Sequence, residues 1–156
     1  MPVTKELPEE LKITILKTDQ DLEETFGRDD LVDFLFVHLG KYGDSREAIE
    51  NSIDYAFSRE KGKGGFILVA QDQDEIVGAL VINDTGMEGY IPEHVLVYVA
   101  VHEDTRGLGI GRMLIESTKE LCDGNIALHV EKDNPARNLY KKLGFDESYL
   151  EMRYEE

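Results

Sequence analysis

The chain has 156 residues, 41% hydrophobic and 32% charged, with 14 Gly and 4 Pro, which suits one soluble domain with a real core and argues against wholesale disorder. A formal net charge of −16 repels polyanions at long range and so argues against non-specific binding to nucleic acid or an anionic membrane. No apolar stretch nears the ~18 residues of a membrane span, and Met1-Pro2-Val3-Thr4-Lys5-Glu6 lacks the basic and apolar regions of a secretory signal, so the chain reads as cytoplasmic.

Residues 1–10 are polar with two prolines and are expected to form a loose lead-in to a single domain over 1–156. Leu11 to Lys17 alternates as a first strand, Asp19 to Phe26 starts a helix that Gly27 interrupts, and an apolar-rich piece follows over Leu31 to Leu39. Ser45 is placed to cap a helix whose apolar positions Ile49, Ile53, Ala56 and Phe57 keep the helical period. These helices are expected to cover one face of a sheet. Phe66 to Ala70 and Ile76 to Ile82 read as a hairpin across Gln71 to Glu75, and Met87 to Pro92 as an irregular connection to a strand ending at Val101. Next comes a helix with the stripe Ile110, Met113, Leu114, Thr118, Leu121 and Cys122, which Gly124 can end. Asn125 to Val130 reads as a short strand, Asn134-Pro135 opens a last helix to Leu143, and Phe145 to Tyr154 reads as a terminal strand.

Cys122 is the single cysteine, so no intramolecular disulfide and no cysteine-based metal site can form. The histidines at 38, 94, 102 and 129 are scattered without ligand spacing, and no metal is expected. Charge is uneven along the chain. Residues 106–142 hold seven Lys/Arg and five Asp/Glu, while the remainder holds ten and twenty-eight. The acidic remainder serves solubility or attracts cationic substrates.

The stretch from Val97 to Leu114 carries the clearest chemistry. An apolar strand enters the turn Arg106-Gly107-Leu108-Gly109-Ile110-Gly111-Arg112, and that turn opens a helix, which gathers free N–H groups and the positive end of a helix dipole at one point. Phosphate suits such a point. The spacing is neither that of a P-loop, which needs Gly-Lys-Ser/Thr, nor that of the dinucleotide fingerprint, because the glycines fall at 107, 109 and 111.

Arg106-x-x-Gly109-x-Gly111 resembles the acyl-CoA-binding signature of the GNAT superfamily of N-acetyltransferases. Asn134-Pro135-Ala136-Arg137-Asn138-Leu139-Tyr140-Lys141-Lys142-Leu143-Gly144-Phe145 resembles that family's later motif. The resemblance implies an α/β (α+β) fold with a mixed, mainly antiparallel sheet flanked by helices. It implies direct transfer of acetyl from acetyl-CoA to a primary amine, on a small cationic molecule or a protein. Glycines at 107, 109 and 111 remove side chains that would block pyrophosphate; Arg106 and Arg112 add charge-assisted contacts or simply face solvent. Backbone groups of Val99 and Val101, with Ala100 between them, are implied to meet the pantetheine arm through a splay between two strands. Asn134 and Lys142 of the later motif are implied cofactor contacts, although Asn134 also fits a helix cap.

Tyr140 is the expected acid. Thioester cleavage expels a thiolate, and a phenol with a pKa of about 10 keeps a proton to give it at neutral pH. The candidates for a base are Glu93, His94, His129 and Glu131, with Glu93 preferred. A different class of function is a non-catalytic acyl-CoA sensor or scaffold, which the lack of an acidic residue at Val97 and Tyr98 favours. About ten residues follow Gly144-Phe145, enough for one strand, so the sheet edge is expected to stay exposed or to be completed by a second subunit in a homodimer.

Overall fold

The computed structural model describes residues 7, 8 and 10–156, so most of the expected lead-in over 1–10 lies outside the described residues. Strands β1 (Leu11–Leu16), β2 (Gly65–Asp72), β3 (Glu75–Asp84), β4 (His94–Val101) and β5 (Ile126–Leu128) form one sheet in that order. The first four pair antiparallel and β5 runs parallel to β4. Helices α1 (Asp19–Thr25), α2 (Arg28–Leu39) and α3 (Arg46–Phe57) precede β2, whereas α4 (Ile110–Leu121) and α5 (Ala136–Lys142) flank β5 in the chain.

Alternation along the strands divides the core into two layers. Ile67, Val69, Ala79, Val81, Tyr98 and Ala100 turn to one face and bury against Leu22, Leu31, Leu35, Ile49 and Ile53 of α1 to α3. Phe66, Leu68, Ala70, Leu80 and Leu96 turn to the other and meet Ile110, Leu114 and Ile115 of α4 with Tyr140 of α5. The expected cap at Ser45 is present, its hydroxyl accepting from Ala48 N–H, and Thr18 serves α1 in the same way from Asp21 N–H; α4 ends earlier than Gly124, with Cys122 as its C-cap. Among the described residues no helix is long and apolar enough to cross a membrane.

Two expectations need correction. The buried face of α4 is Ile110, Leu114, Ile115 and Thr118; Met113 and Leu121 lie at its exposed margin, because the sheet fits a narrower stripe than the apolar residues offer. Phe145 to Tyr154 is not a strand. Past Gly144, Glu147 binds Arg137 and Lys141 of α5, so the chain is held against that helix and pairs with no neighbour in the sheet. The two cations hold the Glu147 carboxyl down at about 2.

Gly78 on β3 sets how closely α4 approaches the sheet. A Cβ there would lie 2.9 Å from Ile110 Cγ2 and 3.0 Å from Leu114 Cδ1. Gly78→Val should therefore push the start of α4 outward and cost about 1–3 kcal/mol of stability by overpacking. Denaturant unfolding with an unchanged midpoint would show that this close approach is not a constraint.

Candidate active site at the open edge of β4

Backbone hydrogen bonds fix which way each β4 residue faces. His94 donates its N–H to the Asn125 carbonyl beside β5 (3.0 Å), whereas His102, just past the other end, donates to the Val77 carbonyl of β3 (2.9 Å). In a regular strand, residues an even number apart direct their N–H groups to the same side. The register explains the reversal: Val81 pairs with Tyr98 but Ile82 with Leu96, which leaves Val97 as the extra residue of a β-bulge. Beyond the bulge, Val99 and Val101 turn their backbone groups away from β3. On that side β5 pairs only as far as Leu96 opposite Leu128, so β4 has an open edge over its last five residues.

The turn after β4 closes one end of this edge. Arg106 donates from Nε to the Val101 carbonyl (3.2 Å) and from Nη2 to the His38 carbonyl (2.8 Å), tying the end of α2 to the end of β4. Gly109, at φ +92°, is the N-cap of α4, and no side chain caps this helix. The N–H groups of Ile110, Gly111 and Arg112 thus lack intrahelical partners at an exposed turn, which is the arrangement that receives an anion. The Ile110 side chain is buried in the core, so only its backbone can serve. Arg112 and Lys142 are exposed and form no ion pair among the described residues. A Cβ on Gly111 would lie 3.5 Å from Val101 Cγ2 and 3.6 Å from Leu139 Cδ2, so the end of β4, the first turn of α4 and α5 meet at this point.

Tyr140 is buried on α5, with its ring edge-on to Phe145 at 6.0 Å between centroids. Burial pushes its phenol up to about 12, and its hydroxyl has no hydrogen-bond partner among the described residues. Asn134 Oδ1 accepts from Ala136 N–H (2.9 Å) and so caps α5. Its expected contact with a cofactor would have to come from the amide nitrogen.

Glu93 is placed differently from a base. Its carboxylate accepts from Asn125 N–H (2.7 Å) and Gly89 N–H (3.0 Å), and these bonds lower its pKa. Both oxygens stabilise the charged form, so this geometry does not support the expected role in taking a proton. The carboxylate instead ties residues 89 to 93 to the start of β5. His94 is similarly occupied, with Nδ1 at 2.7 Å from Asp84 and Nε2 at 2.9 Å from the Asp123 carbonyl. His129 and Glu131 are exposed.

Residues the sequence did not single out also border the site. Tyr98, next to the bulge, donates its hydroxyl to Asp44 Oδ2 (2.6 Å); burial first, then Asp44, pushes that phenol up. Lys41 Nζ and the Tyr42 hydroxyl reach Asp133 beyond β5, at 3.4 Å to Oδ2 and 3.1 Å to the carbonyl oxygen. The segment between α2 and α3 is thereby bridged to the β5–α5 connection. A separate cavity of about 470 Å³ beside α2 is lined by Asp30, Asp33, Asp74, Glu75, His38 and His102, and shares no residue with the open edge. Among the described residues no cluster of ligating side chains could hold a metal.

The family model for the acetyltransferase (GNAT) domain matches residues 63–147, which contain the whole open edge, the glycine turn and Tyr140. This chain belongs to the GNAT family. A stretch of 83 residues is 36% identical to the 5-NmdU N-acetyltransferase of Pseudomonas phage PaMx11, covering 52% of this chain and 57% of that protein. Another of 74 residues is 34% identical to the peptidyl-lysine N-acetyltransferase YjaB of Salmonella typhimurium, covering 47% and 45%. The chain spans about half the length of these curated relatives. Among solved structures, a possible acetyltransferase from Clostridium difficile 630 superposes with a TM-score of 0.64 at 21% identity over 94% of this chain and 97% of that one. An aminoglycoside acetyltransferase from an uncultured soil metagenomic sample gives 0.63 at 20% over 93% and 95%. These two likenesses show the fold.

The role of Glu93 is open to direct measurement. In Glu93→Gln the amide protons of Gly89 and Asn125 should exchange with solvent markedly faster, while those of β3 keep their protection. Unaltered exchange at both amides would remove Glu93 from the anchoring of this loop.

Proposed function

We propose that this GNAT domain transfers an acetyl group from acetyl-CoA directly to a primary amine in a ternary complex. The observation that carries the proposal is the bulged, open edge of β4, bordered by the uncapped start of α4 and by α5. The free N–H groups of 107–112 receive the pyrophosphate, and left-handed Gly107 and Gly109 carry no side chain to block it. Arg112 and Lys142 add positive charge at the rim, and Arg106 braces the turn while its remaining guanidinium nitrogen is free to meet phosphate. Acetyl-CoA supplies the activated acyl group.

Val99 and Val101 line the edge with backbone groups that pair with an extended arm as a neighbouring strand would, Ala100 fixing their spacing. The Val99 N–H is positioned to polarise a thioester carbonyl lying along this edge. Tyr140 holds the proton for the departing thiolate. A phenol pushed up to about 12 stays protonated at neutral pH, so its proton is available to the sulfur as the carbon–sulfur bond breaks. Asn134 caps the helix that carries Tyr140.

The acceptor is an amine, on a small cationic molecule or on a protein. Ten Lys/Arg against twenty-eight Asp/Glu outside residues 106–142 give a surface that attracts cations. The relatives are named as N-acetyltransferases of 5-NmdU and of peptidyl-lysine, so N-acetylation is their common element. The engagement of Glu93 and His94 by other groups favours a second reading, a non-catalytic acyl-CoA sensor. Thiol release from acetyl-CoA across a panel of a polyamine, an aminoglycoside and lysine-bearing and N-terminal peptides separates the two, since a sensor binds acetyl-CoA and releases no CoA with any of them.

Tyr140→Phe should lower kcat by about 10²-fold or more, in the range of general acid catalysis, and leave acetyl-CoA affinity within about twofold because the pyrophosphate site is untouched. With the phenol at about 12, the wild-type rate should show no alkaline loss from this group below about pH 11. An unchanged kcat in the variant would remove Tyr140 from proton transfer.

A further inference from the structure

The segment joining α2 to α3 is fastened at three points around the open edge of β4. Its entry is held where Arg106 donates to the His38 carbonyl, its middle where Lys41 and Tyr42 reach Asp133, and its exit where Tyr98 donates to Asp44. Tyr98 lies on β4 immediately past the bulge and Asp133 lies past β5, so the segment is attached on both sides of the gap between these strands. Tyr98 belongs to the core layer of α1 to α3 and Tyr140 to the layer of α4 and α5. Asp44 and Tyr140 therefore approach the edge from opposite faces of the sheet.

Within this segment the charges are settled except one. Lys41 pairs with Asp133 and Arg46 with Asp33, whereas Asp44 forms no ion pair among the described residues. Asp44 is exposed; its Oδ2 accepts from the buried Tyr98 hydroxyl, and its Oδ1 has no hydrogen-bond partner among the described residues. Burial first, then Asp44, pushes the Tyr98 phenol up, so it stays a donor and fixes the carboxylate in one orientation. A carboxylate fixed through one oxygen with the other unused is a receptor for an ammonium group.

We propose that the Asp44 carboxylate, held by Tyr98 beside the open edge, binds a second cationic group of the acceptor and so selects amines with two or more amino groups over monoamines. The group bound is not the reacting one, because a carboxylate paired with an ammonium favours its charged form, and only the neutral amine attacks a thioester. One amino group thus reaches the thioester along the edge while another pairs with Asp44 Oδ1. The inference rests on the reading of this edge as the acyl-transfer site.

Titration of spermidine and of butylamine into CoA-saturated protein, which has no acetyl group to transfer, measures the selection without chemistry. The wild type should bind spermidine about tenfold or more tightly than butylamine, and the Tyr98 and Val99 amide resonances should move with it. Asp44→Asn should narrow the ratio of the two dissociation constants by about fivefold, the upper range of an exposed charge pair. Asp44→Glu, which keeps the charge, should keep most of the ratio. Glu24→Gln removes the same charge from an exposed position on α1 and should leave the ratio within about twofold. Equal affinity for the two amines overturns the proposal, as does a preference that Asp44→Asn leaves unchanged or that Glu24→Gln reduces as much. Failure of the acyl-transfer reading shows separately, as the absence of CoA release from acetyl-CoA with any amine, and does not alter the titration.

Discussion

A strand can leave its hydrogen-bonding groups unpaired only where something else takes them, and the whole architecture follows from where β4 does so. Val97 bulges, and Val99 and Val101 then face an edge that β5 does not reach. Had the strand been regular, its even-numbered residues would face that edge, and the carbonyl of Val101 would not meet Arg106. The bulge therefore sets two things at once: which amides line the edge, and how the glycine turn is tied back to it. The closeness of Gly111 to Val101 and Leu139 brings the other two parts of the site to the same point.

Electrostatics divides labour around that edge. The cationic turn and helix ends lie on the α4 and α5 side, where an anionic cofactor belongs by the physics of helix termini. Carboxylates dominate the α1 to α3 layer, and several acidic groups of the chain are held by donors: Glu93 by backbone N–H groups, Asp44 by Tyr98, and Asp33 by Arg46. Their geometry shows why counting acidic residues does not identify a base, since a carboxylate held by donors is stabilised as an anion and accepts a proton less readily.

Much of the fold was legible because it rests on local period. The α3 positions Ile49, Ile53 and Ala56 are buried as their spacing requires, and the hairpin between β2 and β3 falls at its turn residues. The glycine turn and Tyr140 were legible as motifs. The bulge was not, because Val95-Leu-Val-Tyr-Val-Ala-Val101 offers uninterrupted strand formers and the extra residue is defined only by the register with β3. The partners of Glu93 and Tyr98 were hidden for a related reason: Asn125 is 32 residues from Glu93 and Asp44 is 54 from Tyr98. The terminal segment illustrates the reverse case. Its alternation is real, but a strand exists only with a partner edge, and Glu147 holds the chain to α5 before one is met.

Backbone amide shifts on titrating CoA into isotope-labelled protein test the central claim most directly, since they report the edge residue by residue. The largest changes should fall on Val99 and Val101 and on Gly107 to Arg112, with smaller ones along α5. Saturable binding that leaves Val99 and Val101 unmoved, or that shifts Asp30, Asp33 and Asp74 of the cavity beside α2 instead, would contradict a site built on the open edge of β4.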